Sequence, residues 1–424
     1  NILLVVFTLV FFNYYKDRKI EQYNNLYKNK NEEIRKVEKR LSYFYHNSEN
    51  FLFKFNQSKT INTQNNSYNL KLIKTNLYFS KVIGQSSAYL GIDKNNLYVV
   101  SATGVFFSIK KNELFKKAYN PKKIDTNIDQ IIKNEDFFVK SYAGIKDVLI
   151  HNNFIFVSYV NEKEKNCYNT GVLKAELNSS FLEFEKFFDH KECKSLKKSK
   201  YKTFKMGQTG GRLISYKSNF LLTHGSYSEF DDVQNDNSIF GKILLINSKG
   251  KILKNFSKGH RNPQGLSLIN GEVIIETEHG PSGGDEINII TEDYNYGWPI
   301  ASYGSHYKGQ KHMNKIYPLP NSHTNFTEPV MYFDKAIAIS EIISVPAKFN
   351  NEIDISIYLA SMKVNSDYGD EINLFHLKFK EKNLYIKDLI PIGERIRDLI
   401  YDEYQNEIIM FLDTSASIAV LSVN

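Results

Sequence analysis

Residues 259–299 read GHRNPQGLSLINGEVIIETEHGPSGGDEINIITEDYNYGWP. A cationic corner, Arg261-Asn262-Pro263-Gln264, stands before an apolar strand, and a Gly280-Pro281 turn stands after it. The carboxylate pair Asp285-Glu286 and the aromatic run Tyr296-Gly297-Trp298-Pro299 follow at short range. Gly and Pro punctuate the stretch where tight turns require them, and the residues between them suit short strands.

The same alternation continues on both sides. Leu97-Tyr98-Val99-Val100, Val148-Leu149-Ile150 and Phe154-Ile155-Phe156-Val157 are apolar runs bounded by Asn, Lys and Asp. Ile243-Leu244-Leu245-Ile246, then Asn247-Ser248-Lys249-Gly250 and Lys251-Ile252-Leu253, reads as a hairpin. Strand pairs recur to Val423 with no convincing amphipathic helix between them, which argues against a βαβ sheet. An antiparallel array over residues 71–424 is most economically an all-β propeller, in which radial repetition protects the sheet edges. Neither WD40 nor kelch signatures occur, so the residues alone set no blade number.

The 259–299 stretch closely resembles the signature of the soluble, PQQ-dependent aldose (glucose/sorbosone) dehydrogenases. The resemblance implies a six-bladed β-propeller that holds pyrroloquinoline quinone beside calcium. PQQ carries three carboxylates and an ortho-quinone, and arginine forks suit such a ligand. By resemblance, Arg261 and Asn262 are its contacts in the GHRNPQG motif. Ser361-Met362-Lys363 resembles the family's Ser-Leu-Lys strand end, making Lys363 a contact. Arg395-Ile396-Arg397-Asp398 matches Arg-x-Arg-Asp, and Tyr307 falls where the family places a further contact. Gly280 and Pro281 correspond to the carbonyls that meet the cofactor-bound calcium, a hard cation that takes oxygen ligands. Glu286 and Tyr296 resemble ligands of a second, structural calcium.

The chain departs from this pattern where the family keeps its base. A His stands there four residues before the Arg of a Gly-Arg-Leu strand start. Here Met206-Gly207-Gln208-Thr209-Gly210-Gly211-Arg212-Leu213 puts Gln208 in that place. The orienting Asp aligns with Ser226 of Thr223-His224-Gly225-Ser226. A neutral amide does not accept a hydroxyl proton near pH 7, whereas imidazole does. His224 and His279 are the alternative bases. A third departure replaces a cofactor-contacting Gln with Tyr142, in Tyr142-Ala143-Gly144-Ile145-Lys146-Asp147.

Two functions follow. One is an oxidoreductase that takes an aldose or other alcohol and passes electrons through PQQ to an external acceptor. The other is a catalytically impaired, membrane-tethered propeller that binds PQQ or another ligand.

The N-terminal region supplies the tether. Ile2–Phe12 is apolar but too short to span a hydrocarbon core, which needs ~20 helical residues, so residues 1–15 read as a signal anchor or signal peptide. Ile20, Tyr23, Tyr27, Ile34, Val37, Leu41 and Phe44 recur at 3–4 spacing, so residues 16–46 read as an amphipathic helix or stalk. Residues 47–70, Asn-rich from Asn56 to Asn69, read as a linker. The expected location is periplasmic or otherwise extracytoplasmic, anchored in the inner membrane. Lys16, Arg18 and Lys19 beyond the apolar segment pull the other way by the positive-inside rule. A net charge of +8, spread without a basic stripe, argues against nucleic-acid binding. Cys167 and Cys193 carry no Cys-x-x-Cys spacing, which leaves a disulfide or two free thiols open.

Overall fold

The computed structural model describes residues 18–34, 36–37, 51–77, 87–178, 180–350 and 355–424. Residues 18–34 are helical, and Ile20, Tyr23, Tyr27 and Ile34 are exposed on this helix. No helix among the described residues is long and apolar enough to cross a membrane. The apolar stretch 2–12 and the end of the expected stalk, from residue 38 on, lie outside the described residues. The helix belongs to one unit, residues 1–48, and all the strands to another, residues 49–424.

The second unit is a six-bladed propeller made of six antiparallel sheets. Its inner strands are Ala88–Ile92, Ile145–His151, Gly210–Tyr216, Pro263–Ile269, Ile339–Val345 and Ile396–Asp402, which define blades one to six in that order. Each inner strand packs beside the next, and the sixth returns to the first.

The buried apolar residues gather between successive blades. Tyr89, Val100 and Phe106 of blade one meet Val148, Ile155 and Val157 of blade two. Ile275 and Ile287 of blade four meet Ile342, Ile357 and Phe375 of blade five. Burying such side chains stabilises by about 1.5–3 kcal/mol each.

The ring is closed by residues that the sequence suggested were a linker. Phe53–Asn62 and Ser67–Thr75 are strands, and the latter pairs with the last strand from Tyr68↔Val423 to Lys74↔Ser417. Asn-rich composition misled here. Ile61, Tyr68 and Leu70 are buried in the apolar layer between blades five and six, and the Asn residues punctuate the hairpin turn.

Five of the six inner strands begin with an irregularity in register. The residues left out of pairing are Lys146, Gly211-Arg212, Gln264, Ser340-Glu341 and Arg397. Bulges re-aim side chains at the rims of closed sheets. One of them, Arg212, fastens the ring at its axis. Its Nη1 lies 2.9 Å from Asp147, 2.7 Å from Glu341 and 2.6 Å from Asp398, and its Nε donates to the Gln264 carbonyl at 2.5 Å. The three carboxylates in turn accept the backbone N–H groups of Leu213, Leu266 and Leu90. All six inner strands are tied through one guanidinium.

Cys167 and Cys193, left open by the sequence, form a disulfide across 26 residues. Closing a loop of that length removes unfolded-state entropy worth ~3–4 kcal/mol. Replacing both with Ser should lower unfolding stability by about that amount in denaturant titrations. An unchanged midpoint would mean that the loop is held by its other contacts.

Candidate cofactor and base site

Arg261 sits just before the inner strand of blade four, its guanidinium buried and covered by two rings. Trp298 lies 5.4 Å and Tyr307 5.9 Å from it. Its Nη1 donates to the His279 carbonyl at 2.8 Å, while its Nε has no hydrogen-bond partner. Among the described residues it makes no ion pair with a carboxylate. Burial lowers its pKa, so an anion arriving there would relieve a real desolvation penalty. Asn262 accepts hydrogen bonds from Gln264 at 3.1 Å and from the Gly210 N–H at 3.4 Å, joining the corner to blade three.

The two blade-six arginines are held differently. Arg397 pairs with Asp413, Nη2 to Oδ2 at 2.7 Å and Nε at 3.1 Å, which fixes its fork and keeps its pKa up. Arg395 lies 3.7 Å from the same carboxylate and donates from Nη1 to the Met362 carbonyl at 2.8 Å, and its Nε has no hydrogen-bond partner. Arg261, Arg395 and Arg397 all bear on His279. Burial, followed by these charges against the opposing pull of Asp285, brings its imidazole down to about 4.

Next to His279 opens a pocket of about 630 Å³, lined by Gly280, Pro281, Tyr307, Asp334, Lys335 and Lys363 among others. A drug-sized ligand needs a space of that order. The Gly280 turn allows no side chain, because a Cβ there would fall 2.2 Å from both the Gly283 and Gly284 carbonyl oxygens. Packed backbone oxygens of this kind are the donor chemistry that a hard cation selects.

Glu286 and Tyr296 line one small cavity together with Glu278, Ser302 and His323. Burial pushes the Glu286 carboxyl up to about 7, and His323 Nε2 lies 3.0 Å from it. Glu276 and Glu278 stand nearby, and the Glu276 Oε1 is buried without a partner. An oxygen-rich, proton-retaining pocket of this sort fits a divalent ion.

Gln208 and Ser226, expected in place of the base pair, are neighbours. Gln208 Oε1 accepts from the Ser228 hydroxyl at 3.0 Å and from the Ser226 hydroxyl at 3.4 Å. The Ser226 N–H donates to the Arg261 carbonyl at 2.8 Å, so this pair is one bond from the Arg261-Asn262 corner. His224, by contrast, is walled in. Its Nε2 accepts from the Thr170 N–H at 3.2 Å, its Nδ1 meets the Gly225 carbonyl at 3.0 Å, and burial pushes it down to about 3. Both nitrogens are committed, so it offers no free base. His279 remains half-buried on the pocket wall. Tyr142 is exposed, beside Lys140.

Three features escaped the sequence reading: the Arg212 hub, Asp413 as the arginine clamp, and Lys146. The last was quoted only as part of a poorly matching segment.

The glucose/sorbosone dehydrogenase family model matches residues 104–419. The chain belongs to that family. Aldose sugar dehydrogenase YliI of Escherichia coli is 27% identical over 214 residues, which is 45% of this chain and 53% of that protein. The chain therefore aligns with about half the length of that relative. Quinoprotein glucose dehydrogenase B of Acinetobacter calcoaceticus is 40% identical over 75 residues, 15% of this chain and 16% of that one. The solved apo-form of the soluble aldose sugar dehydrogenase of Escherichia coli superposes with a TM-score of 0.62 at 19% identity, covering 87% of this chain and 99% of that one. The PQQ-bound aldose sugar dehydrogenase of Streptomyces coelicolor gives 0.59 at 14%, covering 89% and 99%. Both solved structures share the fold of this chain.

Proposed function

We propose that this chain is a quinoprotein that oxidises the alcohol carbon of an aldose or related alcohol. Arg261, Asn262, Tyr307, Lys363, Arg395 and Arg397 hold PQQ, and the carbonyls of Gly280 and Pro281 hold its calcium. Glu286 and Tyr296 belong to a structural calcium. The observation that carries this reading is the buried Nε of Arg261, which lacks a hydrogen-bond partner, on a guanidinium that meets His279 and Tyr307 of the pocket wall. The PQQ-bound neighbour and the quinoprotein relative support the choice of anion.

When bound, PQQ supplies the two-electron acceptor for hydride, and an external acceptor reoxidises it. The protein's part is to bind and orient. Arg261 would hold a carboxylate of the cofactor, and the Trp298 and Tyr307 rings beside its guanidinium would exclude water and strengthen such a contact. Arg397, clamped by Asp413, presents a fixed donor edge. The disulfide supports an oxidising, extracytoplasmic compartment, and the N-terminal helix and apolar stretch support a tether.

Titrating the purified protein with PQQ in the presence of calcium tests this reading. Arg261→Ala should weaken binding by ~1.5–3 kcal/mol, roughly 10- to 100-fold, the worth of a charge-assisted hydrogen bond. Arg261 is a sharper probe than Arg397, whose charge Asp413 already matches. Equal affinity in wild type and variant would remove the pocket assignment.

The binding-module reading keeps one specific support: Gln208 is a neutral amide satisfied by two hydroxyls. Bound PQQ that stays oxidised on addition of sugars would favour it.

A further inference from the structure

Lys146 is the bulged residue of blade two, the counterpart of Arg397 in blade six and Gln264 in blade four. Its stem crosses the backbone of blade three at Gly211. A Cβ on that glycine would stand 2.5 Å from the Lys146 Cβ and 3.2 Å from its Cγ, and Gly211 has φ +113°. Gly211 follows Gln208 by three residues, so the stem packs on the strand start that comes just after the expected base position. The Nζ donates to the Ser141 carbonyl at 3.0 Å.

The charges around this amine are accounted for. Asp147, the adjacent carboxylate, is committed to Arg212 and the Leu213 N–H. Glu341 and Asp398 complete the Arg212 hub, and Asp413 is committed to Arg397. Blade one adds Tyr89 beside Arg212, and the turn before blade two adds the Lys140–Asp136 pair and Tyr142. Among the described residues no carboxylate forms an ion pair with Lys146. Burial, helped by the Arg397 charge, brings its pKa down to about 7.

We propose that Lys146 takes the substrate hydroxyl proton in this chain, the task left open by Gln208 and Ser226. The inference rests on the quinoprotein reading above. The substrate carbon gives its hydride to the quinone, which gains two electrons. The hydroxyl proton passes to the Lys146 lone pair, and the C–O bond becomes a carbonyl. As product leaves, the ammonium returns its proton to water. An amine that titrates near the working pH is well suited to this exchange.

Competitive labelling with acetic anhydride from pH 5 to 10, read peptide by peptide in the folded full chain, tests it without turnover. Lys146 should titrate well below the ordinary lysine range, and PQQ with calcium should reduce its labelling at least ~10-fold. In PQQ-loaded protein, Lys146→Met should lower kcat by ~10²–10⁴ while PQQ affinity changes only a few-fold. Lys146→Arg should not restore the rate, because guanidinium keeps its proton. PQQ uptake with an unprotected Lys146 that titrates in the ordinary lysine range would overturn this assignment alone. Failure to take up PQQ at all would overturn the quinoprotein reading, and this one with it.

Discussion

Arg212→Ala should lower stability by about 3–5 kcal/mol, the cost of stripping the cation from a buried ionic cluster. In a thermal melt of a unit this large that is a fall of about 4–6 °C. Nothing else in the cluster can make up the loss. Asp147, Glu341 and Asp398 converge on Nη1 within 2.9 Å, and each carboxylate also holds an N–H of a neighbouring inner strand. Removing the guanidinium leaves three carboxyl groups facing one another at the propeller axis. They must then take up protons or admit water. Arg212→Lys should recover only part of the stability, since one ammonium cannot reach three carboxylates and the Gln264 carbonyl together.

The same cluster sets a direction with pH. Burial, opposed by Arg212, pushes Glu341 up to about 8. Its folded pKa lies above its unfolded value, so its contribution is fully present below the unfolded pKa and is lost as pH rises through about 8. In Arg212→Ala the opposing charge is gone, so the folded pKa rises and this loss, which still begins at the unfolded pKa, should run on to higher pH. A variant within 2 °C of wild type at neutral pH would show that the interblade apolar layers alone hold the ring.

Arg212 also shows why part of this molecule was illegible in its sequence. It served there only as a landmark for counting back to Gln208, because its partners are spread from Asp147 to Asp398. The proposed cofactor corner stood out in the sequence for the opposite reason. Arg261, Gly280, Glu286 and Tyr296 lie on one strand–turn–strand unit whose spacing survives as a local pattern. The closing hairpin was misread because its partner strand is more than 340 residues away, and composition carries no trace of such a pairing. The disulfide stayed open because sequence does not report where two sulfurs meet. Lys146 looked like noise in a poor match, and its meaning depends on Gly211 and Arg397, which reach it only through the fold.

In a Lys146→Met background, Gln208→His together with Ser226→Asp should raise aldose oxidation by at least ~10²-fold over Lys146→Met alone. The two positions are already neighbours, with the Ser226 hydroxyl 3.4 Å from the Gln208 side chain. A carboxylate at 226 can therefore reach an imidazole at 208 and hold its tautomer. The Ser226 N–H bond to the Arg261 carbonyl fixes this unit against the proposed cofactor corner. Gln208→His alone should restore less, because an imidazole without its partner samples the wrong tautomer. The gain should also change character with pH. A rate that follows an amine in wild type should follow an imidazole in the triple variant, falling as pH drops below about 6.5. If Lys146→Met oxidises aldoses as fast as wild type, the proton goes elsewhere, and half-buried His279 on the pocket wall becomes the group to replace. If the triple variant binds PQQ with wild-type affinity yet reduces none of it, the pocket cannot place a hydroxyl between base and quinone. The chain would then act through what it binds.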